Sequence, residues 1–439
     1  MYLRPKKSLL KFTFLLLSLI VVVSCSSDDD AAVRVDNSVP VQADTPEPRE
    51  PIVVNGVIKS ADCVDGMAGI FPCKDYDLQY FLTAEELGYP GQSANDCWGW
   101  TDPTDNNEYA LIGNEVGTSF VNITDPRNPV LVATLDSGVE ASLWRDIKVY
   151  NNHAFIIADD PFQGLQPFNH GIQVVDLTKL KNITDRPKKL TPDALFAGVP
   201  SAHNLAINEE MGYLYTTGSD REDAYNGGVF FIDIRNPKNP VAAGGYGDDG
   251  YSHDGHVVTY SGPDTDYTGR EIYIGSNESF MTIVDVTDKS APKRIAKLSY
   301  QNVEYTHQAW FTEDQKYLLL GDEIDEQTRG NKTRTIVFDM TDLDNPKIHF
   351  EYFGTNNSAD HNGYVKGNTF YLASYTAGLR AIDISEIDNK VMIETGFFDT
   401  LPSNNSASFN GTWSVYPYFP SNNIILSDGN QGLVIVKKK

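Results

Sequence analysis

Residues 281–292 read MTIVDVTDKSAP: an alternation of apolar and β-branched residues, then Asp, Thr and a polar run that ends in Pro. The alternation marks a strand, and the polar run marks a turn, because Asp bonds its own backbone and Pro fixes φ. The phrase recurs as FVNITDPRNP (120–129), QVVDLTKLKN (173–182), FFIDIRNPKNP (230–240), IVFDMTDLDNP (336–346) and RAIDISEIDN (380–389), and GLVIVKKK (432–439) ends the chain. Its aligned positions Asn122, Asp176, Asp233, Asp285, Asp339, Asp383 and Lys437 are separated by 54, 57, 52, 54, 44 and 54 residues. A second phrase alternates with the first: CWGW (97–100), RDIKV (145–149), HNLAI (203–207), HDGHV (253–257), HQAWF (307–311), HNGYV (361–365) and TWSVY (412–416). Each is followed by a short strand-like run such as EIYIGSN or KYLLLGD, and segments such as PKRIAKL supply a fourth.

Seven units of four antiparallel strands predict an all-β protein, a seven-bladed β-propeller of four-stranded blades. A β-sandwich pair does not explain a period near fifty, and linear solenoids usually repeat in about 20 to 47 residues. The seventh unit stops after its third strand, which leaves an open edge. Ile52–Ile58 (IVVNGVI) is the segment expected to fill it from the N-terminus. Residues 82–88 (LTAEELG), with Thr83 as cap and two acids in the first turn, predict a short helix. The division is therefore 1–24 signal, 25–50 tether, 51–96 closing strand with a small Cys loop and short helix, and 97–439 propeller.

The leader runs from a basic stretch into the apolar run Phe12–Val23, too short to span a bilayer. Val22-Val23-Ser24-Cys25 resembles a lipobox, which makes Cys25 the lipid carrier; an ordinary signal peptide with an incidental cysteine is the alternative. Ser26-Ser27-Asp28-Asp29-Asp30 resembles the acidic tract of surface-exposed Bacteroidota lipoproteins, so the expected address is the outer leaflet of the outer membrane. Residues 26–50 are acidic and poor in large apolar groups, as a solvated tether is. In an oxidising compartment Cys63 and Cys73 can close a small disulfide loop, with Cys97 left as a buried thiol.

The third-strand phrases resemble the LVIVD repeat. Stretches such as CVDGMAGIFPC, LWRDIKVYNNHAFI, THQAWFTED, DHNGYV and FNGTWSVYPYFPS resemble the choice-of-anchor B family of bacterial surface proteins over roughly residues 60–437. The resemblance implies a propeller outside the cytoplasm and brings no reaction with it.

The charge is −25, from 35 basic and 60 acidic residues, so phosphate repulsion disfavours nucleic acid and none is expected as a partner. The first strand of each blade lines a propeller channel. His203, His253, His307 and His361 hold one aligned position there, with Cys97, Arg145 and Thr412 in the other units. Such imidazoles can converge on a divalent metal such as Zn or Cu, with Arg145 and Asp146 or Asp254 and His256 as acid–base partners, or can bond neighbouring blades as structural staples. Glu115, Asp159, Asp160, Asp220, Glu278, Asp322, Glu323 and Asp428 follow second strands, where they read as an acidic rim, either a Ca²⁺ or cation site or a solvated edge. Trp98, Trp100, Trp144, Trp310, Tyr364 and Trp413 are expected to pack between blades. No nucleophile elbow, HExxH helix, P-loop or dinucleotide fingerprint is present, so no catalytic residue is named. The functional expectation is a binding module for a protein, glycan or small ligand, attached to the outer membrane by lipid. A metal-dependent hydrolase or oxidoreductase working at the histidines, or a purely structural envelope protein, are the alternatives.

Overall fold

The computed structural model describes residues 47–439 apart from residue 163. The signal segment, Cys25 and the tether as far as residue 46 lie outside the described residues. The sheets have the order expected of seven blades. Their inner strands are Ala94–Thr101, Arg145–Tyr150, Asn204–Asn208, Asp254–Thr259, Thr306–Phe311, Asp360–Lys366 and Thr412–Tyr416. Each inner strand touches that of the next blade, and the seventh touches the first, which closes the ring. The protein is a seven-bladed β-propeller.

The repeated phrase has one local cause. Asn122, Asp176, Asp233, Asp285, Asp339 and Asp383 each end a third strand. Each side chain accepts a hydrogen bond from the N–H two residues on. This stops the strand and starts the turn to the fourth. A bulge between third and fourth strands recurs in six blades, bending the outer edge and raising its twist.

Burial follows from the period of two. In blade five Leu318 and Leu320 face blade four, whereas Tyr317 and Leu319 face blade six. The same division in every blade produces seven apolar clusters among the described residues, one between each pair of neighbours. Apolar burial on both faces is what holds each sheet upright against the next.

Closure differs from the sequence reading. The strand completing blade seven is Tyr76–Leu82, antiparallel to Gly432–Lys438, with Leu82 opposite Leu433 and Tyr76 opposite Lys438. Ile52–Ile58 instead forms a hairpin, Ile52–Val54 with Val57–Ser60. Its Asn55-Gly56 turn has φ of 50° and 81°, the geometry that Asn-Gly favours and that folds the segment back on itself. The expected helix over 82–88 is one turn only, in which Thr83 and Glu86 cap each other's backbone N–H. Phe71–Lys74 adds to blade six and Lys188–Leu190 to blade one, and Cys63 is disulfide-bonded to Cys73. The N-terminal segment and the ring thus form one unit from Pro48 onwards. No helix among the described residues is long and apolar enough to cross a membrane.

Candidate functional site at the channel mouth

The four histidines meet at one end of the inner strands. His203 and His253 immediately precede theirs, and His307 and His361 are second in theirs. Bulges at Thr306/Ala309 and Asp360/Gly363 bring the latter pair level with the former. Ring centroids are 4.2 Å apart for His203 and His253, 4.8 Å for His253 and His307, and 4.5 Å for His307 and His361. Gly218 makes the first contact possible, because a Cβ there would lie 2.3 Å from that of His203.

The other aligned positions do not join this row. Cys97 is fully buried between blades seven and one. Thr412 donates its hydroxyl proton to Asp428. Arg145 is buried against the His170 ring at 3.2 Å. The row continues instead into Trp144, 6.5 Å from His203, and Trp413, 4.8 Å from His361. A register that slips by one residue at a strand end changes which side chain faces the channel.

These side chains line a cavity of about 1450 Å³ together with Asp159, Asp160, Asp220, Glu323, Tyr251, Tyr305 and Tyr375. The acidic set is thus divided. Asp322 and Asp428 are fully buried and hold backbone N–H groups, those of Glu304 and Tyr305 and of Asn430 and Gln431. They are structural, not rim groups. Glu115 accepts from the Ser93 N–H and Glu278 pairs with Arg221 at 2.7 Å. Asp146 also leaves the wall: it accepts from the Leu205 N–H at 2.5 Å and pairs with Lys148, stapling blade two to blade three. Burial opposes the charge on Lys148, but the Asp146 and Asp96 carboxylates hold its pKa above the ordinary value. Asp254, buried near this group, is pushed up to about 7. His256 does not pair with it and lies against Trp310, ring to ring at 3.9 Å. Trp98 and Trp310 pack on Tyr364 between blades, as expected, whereas Trp144 and Trp413 face the cavity.

Polar partners fix the imidazoles. Nδ1 of His203 donates to Asp159 at 3.1 Å. Burial would depress this histidine, yet the bond to Asp159, with Asp254 and Glu323 nearby, holds its pKa above the usual value. Nδ1 of His361 donates to the Trp413 carbonyl at 2.5 Å, which leaves the Nε2 of the neutral ring as a lone pair. That lone pair lies 3.7 Å from Glu323 Oε1, and His307 Nε2 lies 3.9 Å from Glu323 Oε2. His253 Nδ1 meets the Tyr305 hydroxyl at 3.0 Å, while His253 Nε2 and His307 Nδ1 are buried without a partner. Burial, reinforced by neighbouring imidazoles, keeps His253 and His307 well below the usual range, and burial brings His361 to about 4. Glu323, which accepts from the Tyr375 hydroxyl at 2.8 Å, is pushed up to about 7 by burial. Three neutral imidazoles therefore face one carboxylate. His253, His307 and Glu323 each offer an atom within 4.8 Å of the others, a set that fits a metal ion.

Tyr305 and Tyr375 were not evident from the sequence. The recurrence of Tyr two residues before His, at Tyr251/His253 and Tyr305/His307, is the signal that points to the first.

No curated protein matches this chain. Its fold is similar to that of the Kuenenia stuttgartiensis hydrazine synthase structure, with TM-score 0.51 and 12% identity over 75% of this chain and 92% of that one. It is also similar to the C-terminal WD40 domain of Sif2, with TM-score 0.50 and 8% identity over 79% of this chain and 96% of that one. At such identities the likeness is one of fold alone. The family model of the LVIVD repeat matches residues 269–301, which span the second to fourth strands of blade four, so the propeller carries an LVIVD repeat.

Proposed function

We propose that the protein is a lipid-anchored propeller, held on the outer surface of the outer membrane through Cys25, that binds an external ligand at the mouth of its channel. The observation that carries this reading is the convergence of imidazoles from four consecutive blades on the wall of one cavity. That cavity is larger than the roughly 300–1,000 Å³ of most small-molecule sites. Its wall carries indoles at either end of the histidine row and acids beside it, which suits an extended polar ligand such as a glycan or peptide segment better than a compact apolar one. A metal-dependent reaction at the same wall would additionally require an ion held by the imidazoles.

Two experiments test the proposal. Titration with glycan and peptide libraries should change tryptophan emission, and Trp144→Phe with Trp413→Phe should abolish the change; a ligand that binds without involving either indole contradicts the assignment. Protease applied to intact cells should release the wild-type domain and spare a periplasmic marker, with Cys25→Ala as the control; full protection contradicts surface display.

A further inference from the structure

The wall of the channel mouth contains an electrostatic arrangement that hydrogen bonding does not resolve. The Nε2 lone pair of His361 and a Glu323 oxygen face each other at 3.7 Å, and His307 Nε2 stands 3.9 Å from the other oxygen. With its Nδ1 proton committed to the Trp413 carbonyl, His361 Nε2 is an acceptor, as is the charged carboxylate, and buried acceptors that face each other call for a positive charge between them; His307, whose Nδ1 is buried without a partner, can present its Nε2 as a lone pair to the same charge. His253 Nε2 is buried without any partner beside them.

We propose that His253, His307 and Glu323 bind one divalent transition-metal ion, with His361 adjacent to complete or exchange a ligand position and the remaining position open to the cavity. This rests on the reading of the channel mouth as the binding site and names what receives the ligand there: an ion that accepts an electron pair from an oxygen or nitrogen donor. The donor set favours zinc or copper over calcium, because calcium is bound by six to eight oxygens and imidazole nitrogen suits zinc and copper. Two imidazoles and one carboxylate with an open fourth position is also the arrangement of catalytic rather than structural zinc sites. Bonds of about 2.0–2.1 Å place tetrahedral ligand atoms roughly 3.4 Å apart. The donors here lie within 4.8 Å, so the side chains need contract by no more than about 1.4 Å around an ion.

The positions around the set are already fixed. Tyr375 orients Glu323, the Trp413 carbonyl orients His361 and the Tyr305 hydroxyl meets His253 Nδ1. Outer partners of this kind hold metal ligands in the orientation that binding needs. His203 stands outside the set, since its Nδ1 is engaged by Asp159.

The test uses the full chain purified in detergent, stripped with a chelator and titrated with Co²⁺ and then Zn²⁺. One equivalent should bind, with cobalt absorption bands that zinc displaces. His253→Ala, His307→Ala and Glu323→Gln should each weaken binding at least about tenfold, whereas His349→Ala, on the outer strand of blade five and away from the cavity, should change it less than about twofold. Glu323→Gln is nearly isosteric and can still accept from Tyr375, so it keeps the test valid where an alanine variant fails to fold. Absence of cobalt uptake by the wild type, or equal uptake by Glu323→Gln, overturns the metal centre. If no cobalt is taken up but the protein still shows the ligand-induced tryptophan change, only the metal centre falls; if neither is seen, the channel-mouth reading falls with it.

Discussion

Tyr80 pairs with Ile435, so a strand that precedes the first blade forms the outer edge of the last. Leu78 in the same strand is fully buried, stands opposite Val436, and exchanges backbone hydrogen bonds with Ala61 on its other side. The ring is therefore shut by backbone bonds and apolar contacts between the two ends of the folded domain.

Leu78→Ala should destabilise the domain by about 2–5 kcal/mol, because it leaves a cavity where three chain segments meet. Equilibrium urea unfolding measures this. A loss below about 1 kcal/mol would mean that closure does not limit stability.

The Cys63–Cys73 bond links residues separated by 10 positions and ties the N-terminal loop to the strand that extends blade six. The double variant Cys63→Ser with Cys73→Ser should lose about 2–3 kcal/mol, mainly because the unfolded chain is no longer constrained. Wild-type protein in reductant should show the same loss, and a melting temperature indifferent to reductant would contradict it.

Arg334 is buried, with its Nε 2.5 Å from Asp325 and its Nη2 3.5 Å from Asp322. Burial and the carboxylates of Asp360 and Asp325 push Glu326 up to about 11, and burial raises Asp325 to about 6. Arg334→Met should therefore cost about 3–5 kcal/mol, since it removes the cation from among buried acids. Its stability should recover in part as the pH is lowered and the acids take up protons. A variant as stable as wild type at neutral pH would falsify this account.

Burial lowers His256 to about 3 and His361 to about 4, and burial with the Arg145 charge lowers His170 to about 3, against an ordinary 6.5. The folded protein keeps these rings neutral, while the unfolded chain binds protons below about 6.5. Stability is therefore complete above that pH and falls as the pH drops toward 4. His203 acts in the opposite sense: with its pKa raised, its contribution is present at low pH and fades as the pH climbs through its folded value. These three rings, with the equally depressed His253 and His307, should dominate the acid flank, and His256→Phe should flatten the slope by up to about 1.4 kcal/mol per pH unit. Melting temperatures measured from neutral to acid pH decide it; a flat profile rejects the buried-neutral assignment.

The sequence by itself determined the number and kind of the sheets. An alternating strand and an Asp that bonds its own backbone are local devices, so their seven-fold recurrence is legible without coordinates, and the histidines of four successive units could be aligned from it. Partner choice was not local. The sequence points to IVVNGVI as the closing strand, and only the folded ring shows that this segment turns back on itself at Asn55-Gly56 while Tyr76–Leu82 meets the open edge of blade seven. Which side chains reach the channel was equally out of reach: in blade two Trp144, not Arg145, takes the place just before the inner strand that His203 and His253 take in theirs, leaving Arg145 against His170, while a bulge at Thr412/Ser414 admits Trp413. The imidazole nitrogens that face Glu323 belong to blades five and six of the closed ring, and the unpartnered nitrogen of His253 comes from blade four. Alternation along one strand fixes only which face a side chain takes. What it meets there is fixed by the neighbouring sheet.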